Sequence, residues 1–145
     1  MLARSVSWLC LLLIATIPPV VAAEPLPRGN CAQPLPRTDL AHCDFSRRKL
    51  AGRDLQGVRL AGAKLESADL RKANLNGADL SRSNAKWALF TGASLKGADL
   101  HDADLFHAIF DEADLSGARL VGAYLFGANL IDARAAKADF TGAYL

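Results

Sequence analysis

The chain contains 145 residues, of which 51% are hydrophobic and 22% are charged. This apolar fraction suits one modest domain, and the chain is too short for two. The formal net charge is only +2, and the one basic cluster is Arg47-Arg48-Lys49, so the sequence argues against a nucleic-acid ligand. Only ten residues are aromatic (two Trp, two Tyr and six Phe), so we expect a core of small and aliphatic side chains.

Residues 1–23 have the features of a secretory signal peptide. One basic residue, Arg4, precedes an apolar run from Val6 to Ile17, and Pro18-Pro19 and the small residues Val21-Ala22-Ala23 follow. The run is shorter than the roughly 20 apolar residues of a spanning helix, so we expect cleavage rather than stable membrane insertion. The sequence therefore predicts a periplasmic or secreted protein.

Residues 24–37 form a proline-rich lead, which we expect to cap the N-terminal end of the following domain. Cys31 in the lead and Cys43 just beyond it remain after signal removal, and an oxidising destination favours a disulfide between them. The alternative is that Cys43 fills a small-residue position in the core, which would leave Cys31 as a free thiol in an exported protein. We predict the disulfide.

From residue 38 to residue 145 a leucine or phenylalanine returns at every fifth position, beginning with Leu40. Twenty of these 22 positions fit, and Ala85 and Ala135 are the two exceptions. A five-residue step would scatter these side chains around a helix, and it would alternate them between the two faces of a flat strand. The chain must instead turn once per repeat, so that every central residue points to the same interior.

The other positions of the repeat follow the same period. The position two before the centre is alanine at 16 of 17 sites from Ala63 to Ala143, with Ser83 the exception, so only small side chains fit there. Ten of the eleven glycines lie two positions after a centre, where a corner can require positive φ. All six prolines precede residue 38, which is consistent with continuous backbone pairing beyond it.

Motifs such as Ala68-Asp69-Leu70 and Ala73-Asn74-Leu75 resemble the A(D/N)LXX signature of the pentapeptide-repeat family. The resemblance covers residues 38–145 and implies an all-β fold, a right-handed quadrilateral β-helix with four repeats in each 20-residue coil and about five coils. Central and small residues would point inward. Arg48, Arg53 and Val58 occupy the small-residue position, so we expect the first coil to be irregular or partly open.

Asp or Asn fills 12 of the 22 positions just before a centre. We interpret these residues as structural, because short polar side chains at a corner can bond nearby backbone groups. Some pentapeptide-repeat proteins inhibit DNA gyrase by imitating duplex DNA, and this activity is a distant alternative here. Against it, Arg59 and Arg119 interrupt the acidic column, and export would separate the protein from gyrase. The acidic column consists of Asp39, Asp79, Asp99 and Asp139.

No motif for catalysis or metal binding stands out in the sequence. His42, His101 and His107 lack the spacing of metal ligands, and no serine, cysteine or histidine lies in a recognisable nucleophile motif. We therefore predict a protein that is not an enzyme and that has no cofactor and no metal site.

The most favoured function is an exported module that binds a protein partner through one side of the solenoid. When the outward positions are placed on a 20-residue coil, six aromatic residues fall on the side whose inward residues include Ala85 and Leu105. These residues are Trp87, Phe106, His107, Tyr124, Phe126 and Tyr144. The alternative for this side is that the lead or a second copy covers it.

A structural, self-associating solenoid is the second hypothesis for the function. An open β edge after the C-terminal coil would invite pairing, and a family habit of terminal dimerisation supports a homodimer joined through these coils. The identity of a protein partner does not follow from the sequence.

Overall fold

The computed structural model describes residues 24–145, and the proposed signal peptide at residues 1–23 lies outside the described part. Over residues 24–145 the chain forms neither a helix nor a continuous strand. Its backbone pairs instead through isolated parallel β-bridges, one in each five-residue repeat. Eighteen of these bridges join residues 20 positions apart, from the pair Asp39 and Arg59 to the pair Tyr124 and Tyr144. The chain therefore returns to the same side after every four repeats.

Each repeat makes four kinds of backbone hydrogen bond, one of which runs from the residue two after the centre to the next coil, as from Gly62 to Ser81 at 2.8 Å. A central residue donates its N–H to a carbonyl in the next coil, as Leu60 does to Asp79 at 2.6 Å, and Asp79 donates back to Val58 at 2.9 Å. The fourth bond closes the corner, where Ala63 donates to Leu60 at 2.9 Å. The repeated bonding satisfies polar groups that would otherwise lie unpaired beside an apolar core.

The corners explain the period of the glycines. Every position two after a centre, from Arg47 to Gly142, has a positive φ between 53° and 70°. The expected positive φ at the glycines is confirmed, but half of these twenty corners carry a side chain. Trp87 is one of them, with a φ of 60°, and its N–H donates to Phe106 at 2.9 Å. The ladder bonds on both sides of a corner hold it in a conformation that a non-glycine residue otherwise seldom adopts.

The central and small positions form the core, as the sequence predicts. Leu60, Leu80 and Leu100 are at most 1% exposed, and the alanines that precede such centres are equally buried through most of the domain. Phe90 and Phe110 stack inside the solenoid with ring centroids 4.7 Å apart and planes 2° apart. Small and aliphatic side chains thus fill a narrow interior in layers.

The first coil keeps the backbone pattern of the others, so the expectation of an irregular coil is wrong for the backbone. Arg48 donates to Phe45 at 2.9 Å and Arg53 donates to Leu50 at 3.2 Å, the same corner bonds that the alanine positions make. The side chains differ: Arg48 and Arg53 are exposed, whereas Val58 is buried. The opening of this coil is therefore limited to two arginines that do not enter the core.

The lead runs across the first coil. Gly29 donates to the carbonyl of Asp39 at 2.9 Å, and Asp39 donates to Pro27 at 2.8 Å. A Cβ atom on Gly29 would lie 2.5 Å from Cδ2 of Leu40, so only glycine allows this close approach. Leu40 is fully buried as a result. Among residues 24–145 there is no helix with the length and apolar character needed to cross a membrane.

Candidate functional site

The six aromatic residues singled out in the sequence lie together on one side of the solenoid, which we call the aromatic side. Its rings form columns because residues 20 apart occupy equivalent positions in successive coils. Trp87 and His107 stack with centroids 4.3 Å apart and planes 15° apart. Phe106 and Phe126 stack at 6.0 Å, and Tyr124 and Tyr144 lie 5.9 Å apart. The structure brings all six predicted residues together.

The columns also contact one another. Phe106 meets the edge of Trp87 at 5.6 Å and the edge of His107 at 4.1 Å, and it lies 6.3 Å from Tyr124. Phe106 and His107 are half-buried between their neighbours. The aromatic side is therefore one connected surface rather than a set of separate rings.

Four rings of the aromatic side remain largely open to solvent. Trp87 is 50% exposed and Phe126 is 53% exposed, while Tyr124 and Tyr144 are 43% and 63% exposed. A connected surface of this kind is unusual for chance exposure and typical of an interaction site. Tyrosine and tryptophan contribute much of the binding energy at such sites when they are buried.

Charged groups border the aromatic side. Lys86 pairs with Asp104 at 3.0 Å, and towards the first coil Lys64 and Asp44 approach to 3.7 Å. Each of these pairs is partly or largely exposed. An apolar centre with a polar border resembles the composition of known protein–protein interfaces.

The aspartates and asparagines before the centres act in the corners, as the sequence predicts. All twelve accept a hydrogen bond through Oδ1 from the backbone N–H two residues later. The pair Asp39 and Ala41, with a length of 3.0 Å, begins the series. These side chains therefore have a structural role in the corners.

Asp114 shows the strongest electrostatic effect of this arrangement. Hydrogen bonds from Ser116 and the nearby Lys96 ammonium lower the pKa of Asp114 to about 2, against the opposing effect of burial. Lys96 lies 3.3 Å and Arg134 lies 3.2 Å from Oδ2 of Asp114. A carboxylate held so firmly in its charged form is a poor proton donor or acceptor near neutral pH.

The acidic column on a neighbouring side is partly neutralised. Arg59 donates to Asp39 at 2.7 Å, and Arg119 donates to Asp99 at 3.1 Å. Asp99 also contacts Nδ1 of His101 at 2.9 Å. This column therefore presents charges of both signs instead of the continuous negative surface that imitation of DNA requires.

The two cysteines of the lead and the first coil are adjacent. Sγ of Cys31 lies 2.04 Å from Sγ of Cys43, and their Cα atoms are 5.5 Å apart. Nε2 of His42 lies 3.7 Å from Sγ of Cys43, so the imidazole ring contacts one of the two sulfurs. The contact of His42 with the cysteines was not predicted, although its place next to Cys43 in the chain is a signal for it. Among residues 24–145 the structure contains no enclosed pocket.

The period of five, the coil of 20 and the Asx-bonded corners define a pentapeptide-repeat solenoid. The chain belongs to the pentapeptide-repeat family: the family model "Pentapeptide repeats" matches residues 49–84, 86–122 and 108–145, with eight copies. Proteins of this family fold as right-handed quadrilateral β-helices, and the repeat domain shares that fold. No curated protein matches the chain.

Solved structures of the family resemble the chain over part of its length. A pentapeptide repeat protein (Rfr23) from the cyanobacterium Cyanothece 51142 is 32% identical, with a TM-score of 0.61, and the match covers 63% of each chain. A pentapeptide repeat protein (alr5209) from Nostoc Pcc 7120 is 41% identical, with a TM-score of 0.55, over 56% of this chain and 67% of that one. Trypsin-treated QnrB1, a plasmid-mediated fluoroquinolone resistance protein, is 19% identical, with a TM-score of 0.52. The match covers 69% of this chain and 63% of that one, and it shows the fold alone. The matched part thus spans less than two thirds of the Rfr23 and QnrB1 chains.

Proposed function

We propose that the chain is an exported, non-catalytic interaction module, a solenoid of about five coils that binds a protein partner through its aromatic side. The observation that carries the proposal is the connected stack of rings around Phe106, in which Trp87 and Phe126 remain about half exposed. A partner that covers these rings removes a large apolar area from water without any change in the solenoid backbone.

A comparison of two triple variants tests the partner site. The first replaces three residues of the aromatic side with serine (Trp87→Ser, Phe106→Ser and Phe126→Ser), and the matched control replaces three apolar outward residues of other sides (Leu89→Ser, Ile109→Ser and Val121→Ser). Both variants keep the central residues that form the core, so we expect both to fold. Crosslinking in the native compartment, followed by mass spectrometry, should lose the partner for the first variant and retain it for the control.

Circular dichroism and thermal unfolding of both variants establish that each is folded. Recovery of the same crosslinked partner by a folded aromatic variant would refute the partner site. Equal loss with the control variant would also refute it, because the aromatic side would then have no special role.

Export is the second component of the proposal, supported by the signal-like pattern of residues 1–23 and by the adjacent sulfurs of Cys31 and Cys43. Exported protein should begin at Glu24, which N-terminal sequencing measures.

Exported protein should also resist alkylation at both cysteines until it is reduced. In the chain-entropy model a loop of this size contributes roughly 3 kcal/mol, so reduction should lower the melting temperature. Retention of residues 1–23 in the cytoplasm would contradict export.

Self-association is the alternative function, and a different observation supports it. In the last coil Leu145 is 79% exposed and Ile131 is 63% exposed, although most other apolar residues of the repeat are buried. Leu145 directly follows Tyr144, so this apolar end borders the aromatic side.

A further inference from the structure

Three potential metal ligands meet where the lead crosses the first coil. Cys31 comes from the lead, and His42 and Cys43 come from the first coil; we call these three residues the Cys-His cluster. One ligand atom from each lies within 4.8 Å of the other two. Because the residues come from two segments that are brought together only by folding, the cluster is a property of the folded chain.

We propose that the Cys-His cluster binds one Zn²⁺ ion when the bond between Cys31 and Cys43 is reduced. Two thiolates and a neutral imidazole are ligands that Zn²⁺ prefers. In a tetrahedral site with Zn–S near 2.3 Å and Zn–N near 2.0 Å, sulfur and nitrogen atoms lie roughly 3.5 Å apart. His42 Nε2 and Cys43 Sγ, at 3.7 Å, already have that separation. The two sulfurs must part, and reduction of the bond releases them.

The disulfide and the zinc ion exclude each other. A dithiol reductant donates two electrons and two protons to the disulfide, which gives two thiols, and the reductant becomes a disulfide. Zn²⁺ then displaces the two thiol protons as it binds the thiolates. Reoxidation joins the sulfurs again and releases the ion.

The surroundings of the cluster leave room for an ion. Cys43 is 4% exposed and Cys31 is half-buried, whereas His42 faces solvent. Arg28 donates from Nε to Nε2 of His42 at 3.4 Å, so it competes for the same lone pair. Arg28 is exposed and can turn into solvent when the ion binds. A water molecule supplies the fourth ligand on the open side, as at three-ligand zinc sites.

The consequence is that the lead has two alternative links to the first coil. The disulfide joins Cys31 to Cys43 under oxidising conditions, and the zinc ion joins the same residues under reducing conditions. Both links hold the lead across Leu40, which is fully buried. The cluster therefore keeps this end of the solenoid closed in either redox state.

The test uses the full chain in a Cys10→Ser background, so that Cys31 and Cys43 are the only thiols. The protein is reduced with a phosphine under argon and titrated with Zn²⁺ against a chromophoric chelator, and Co²⁺ serves as the spectroscopic probe. We expect one ion per chain, a thiolate-to-cobalt charge-transfer band and the visible absorption of tetrahedral cobalt. The oxidised protein should bind neither ion at this site.

Variants identify the ligands. Cys31→Ser and Cys43→Ser should each weaken the charge-transfer band and the binding. His42→Ala should weaken zinc binding by at least about tenfold, whereas the matched control His101→Ala should not, because His101 contacts Asp99 far from the cluster. Trypsin cleavage after Arg28 should be rapid in the reduced metal-free protein and slow in the zinc-bound protein.

Several results would overturn the proposal. One is a reduced chain without saturable zinc binding, and another is equal zinc affinity of His42→Ala and His101→Ala. The stoichiometry of the zinc titration provides the last check: one ion per two chains would show that the ligands come from different molecules and would refute an intramolecular site.

Discussion

The imidazole ring of His107 occupies the space in which a side chain on Gly127 would begin. A Cβ atom on Gly127 would lie 2.5 Å from Cε1 of His107, whereas a Cβ atom on Gly142 would meet nothing within 4 Å. Both glycines have similar positive φ values, +70° and +67°. The two positions therefore separate the cost of the backbone conformation from the cost of a clash.

We expect Gly142→Ala to lower the free energy of unfolding by about 1 kcal/mol, the cost of a left-handed conformation for an alanine. Gly127→Ala should cost more, because it also displaces His107 from the ring of Trp87. Trp87 is the only tryptophan in residues 24–145, so its fluorescence reports this stack. The emission should shift in Gly127→Ala and not in Gly142→Ala. Identical stabilities and spectra would show that His107 moves aside without cost.

Ser83 offers a stabilising substitution. It occupies a position where most other repeats have alanine, it is 1% exposed, and its Oγ has no hydrogen-bond partner among residues 24–145. Ser83→Ala should raise the free energy of unfolding by about 1 kcal/mol, because it removes a buried polar group that is not satisfied. Ser81 is the matched control: its Oγ donates to Asp79 at 2.6 Å, so Ser81→Ala should not stabilise. Urea unfolding of both variants measures the difference, and a destabilised Ser83→Ala would contradict the prediction.

Asp114 should make the solenoid sensitive to acid. Its folded pKa, about 2, lies below the value of 3.8 for an ordinary aspartate. The charged carboxylate therefore stabilises the fold above about pH 4, and this contribution is lost as the pH falls from there towards 2. Asp114→Asn keeps the corner bond, since Asn74 and Asn84 make that bond elsewhere, and removes the charge.

The measurement for Asp114 is the urea midpoint of both proteins between pH 6 and 2, a range set by these pKa values. The wild-type midpoint should exceed that of Asp114→Asn at pH 6, and the difference should shrink as the pH falls. A difference that is independent of pH would show that charge on Asp114 does not contribute.

The apolar end of the last coil should support a homodimer. Within the described residues the N–H groups of Leu130, Ala135 and Phe140 donate to no backbone carbonyl, and an edge of this kind favours pairing with another edge. Multi-angle light scattering should give twice the mass of one chain at high concentration. Leu145→Lys should shift the equilibrium to the monomer, whereas Leu35→Lys, at a 61% exposed position in the lead, should not. A monomer at every concentration would count against the dimer.

The repeat made much of this fold predictable. The period of five predicts that Leu60 points inward, and the 20-residue coil predicts that Phe90 stacks on Phe110. The aromatic side followed in the same way, because a 20-residue coil places Trp87 beside His107. These contacts depend on position within the repeat, which the sequence contains directly.

The features that the sequence did not predict do not depend on the five-residue period. The approach of His42 to the two cysteines depends on the path of the lead, which has no repeat and therefore no register. The backbone of the first coil was more regular than expected, because the size of Arg48 and Arg53 determines only whether their side chains enter the core. The glycine pattern likewise predicted the corners but not how many of them accept a side chain such as that of Trp87.

The spacing of 20 residues between bridged positions limits which insertions and deletions the solenoid can accept without loss of its aromatic side. Removal of one pentapeptide between Trp87 and Phe106 would leave the remaining leucines and alanines pointing inward, yet it would rotate all later residues by a quarter turn. Phe106 and Tyr124 would then emerge on the neighbouring side, and Trp87 would be left alone. Only gains or losses of four repeats at once keep the rings in phase. Variation in length by single repeats therefore keeps the inward pattern and changes the surface, and a change in chain length can create a new binding face without a single substitution.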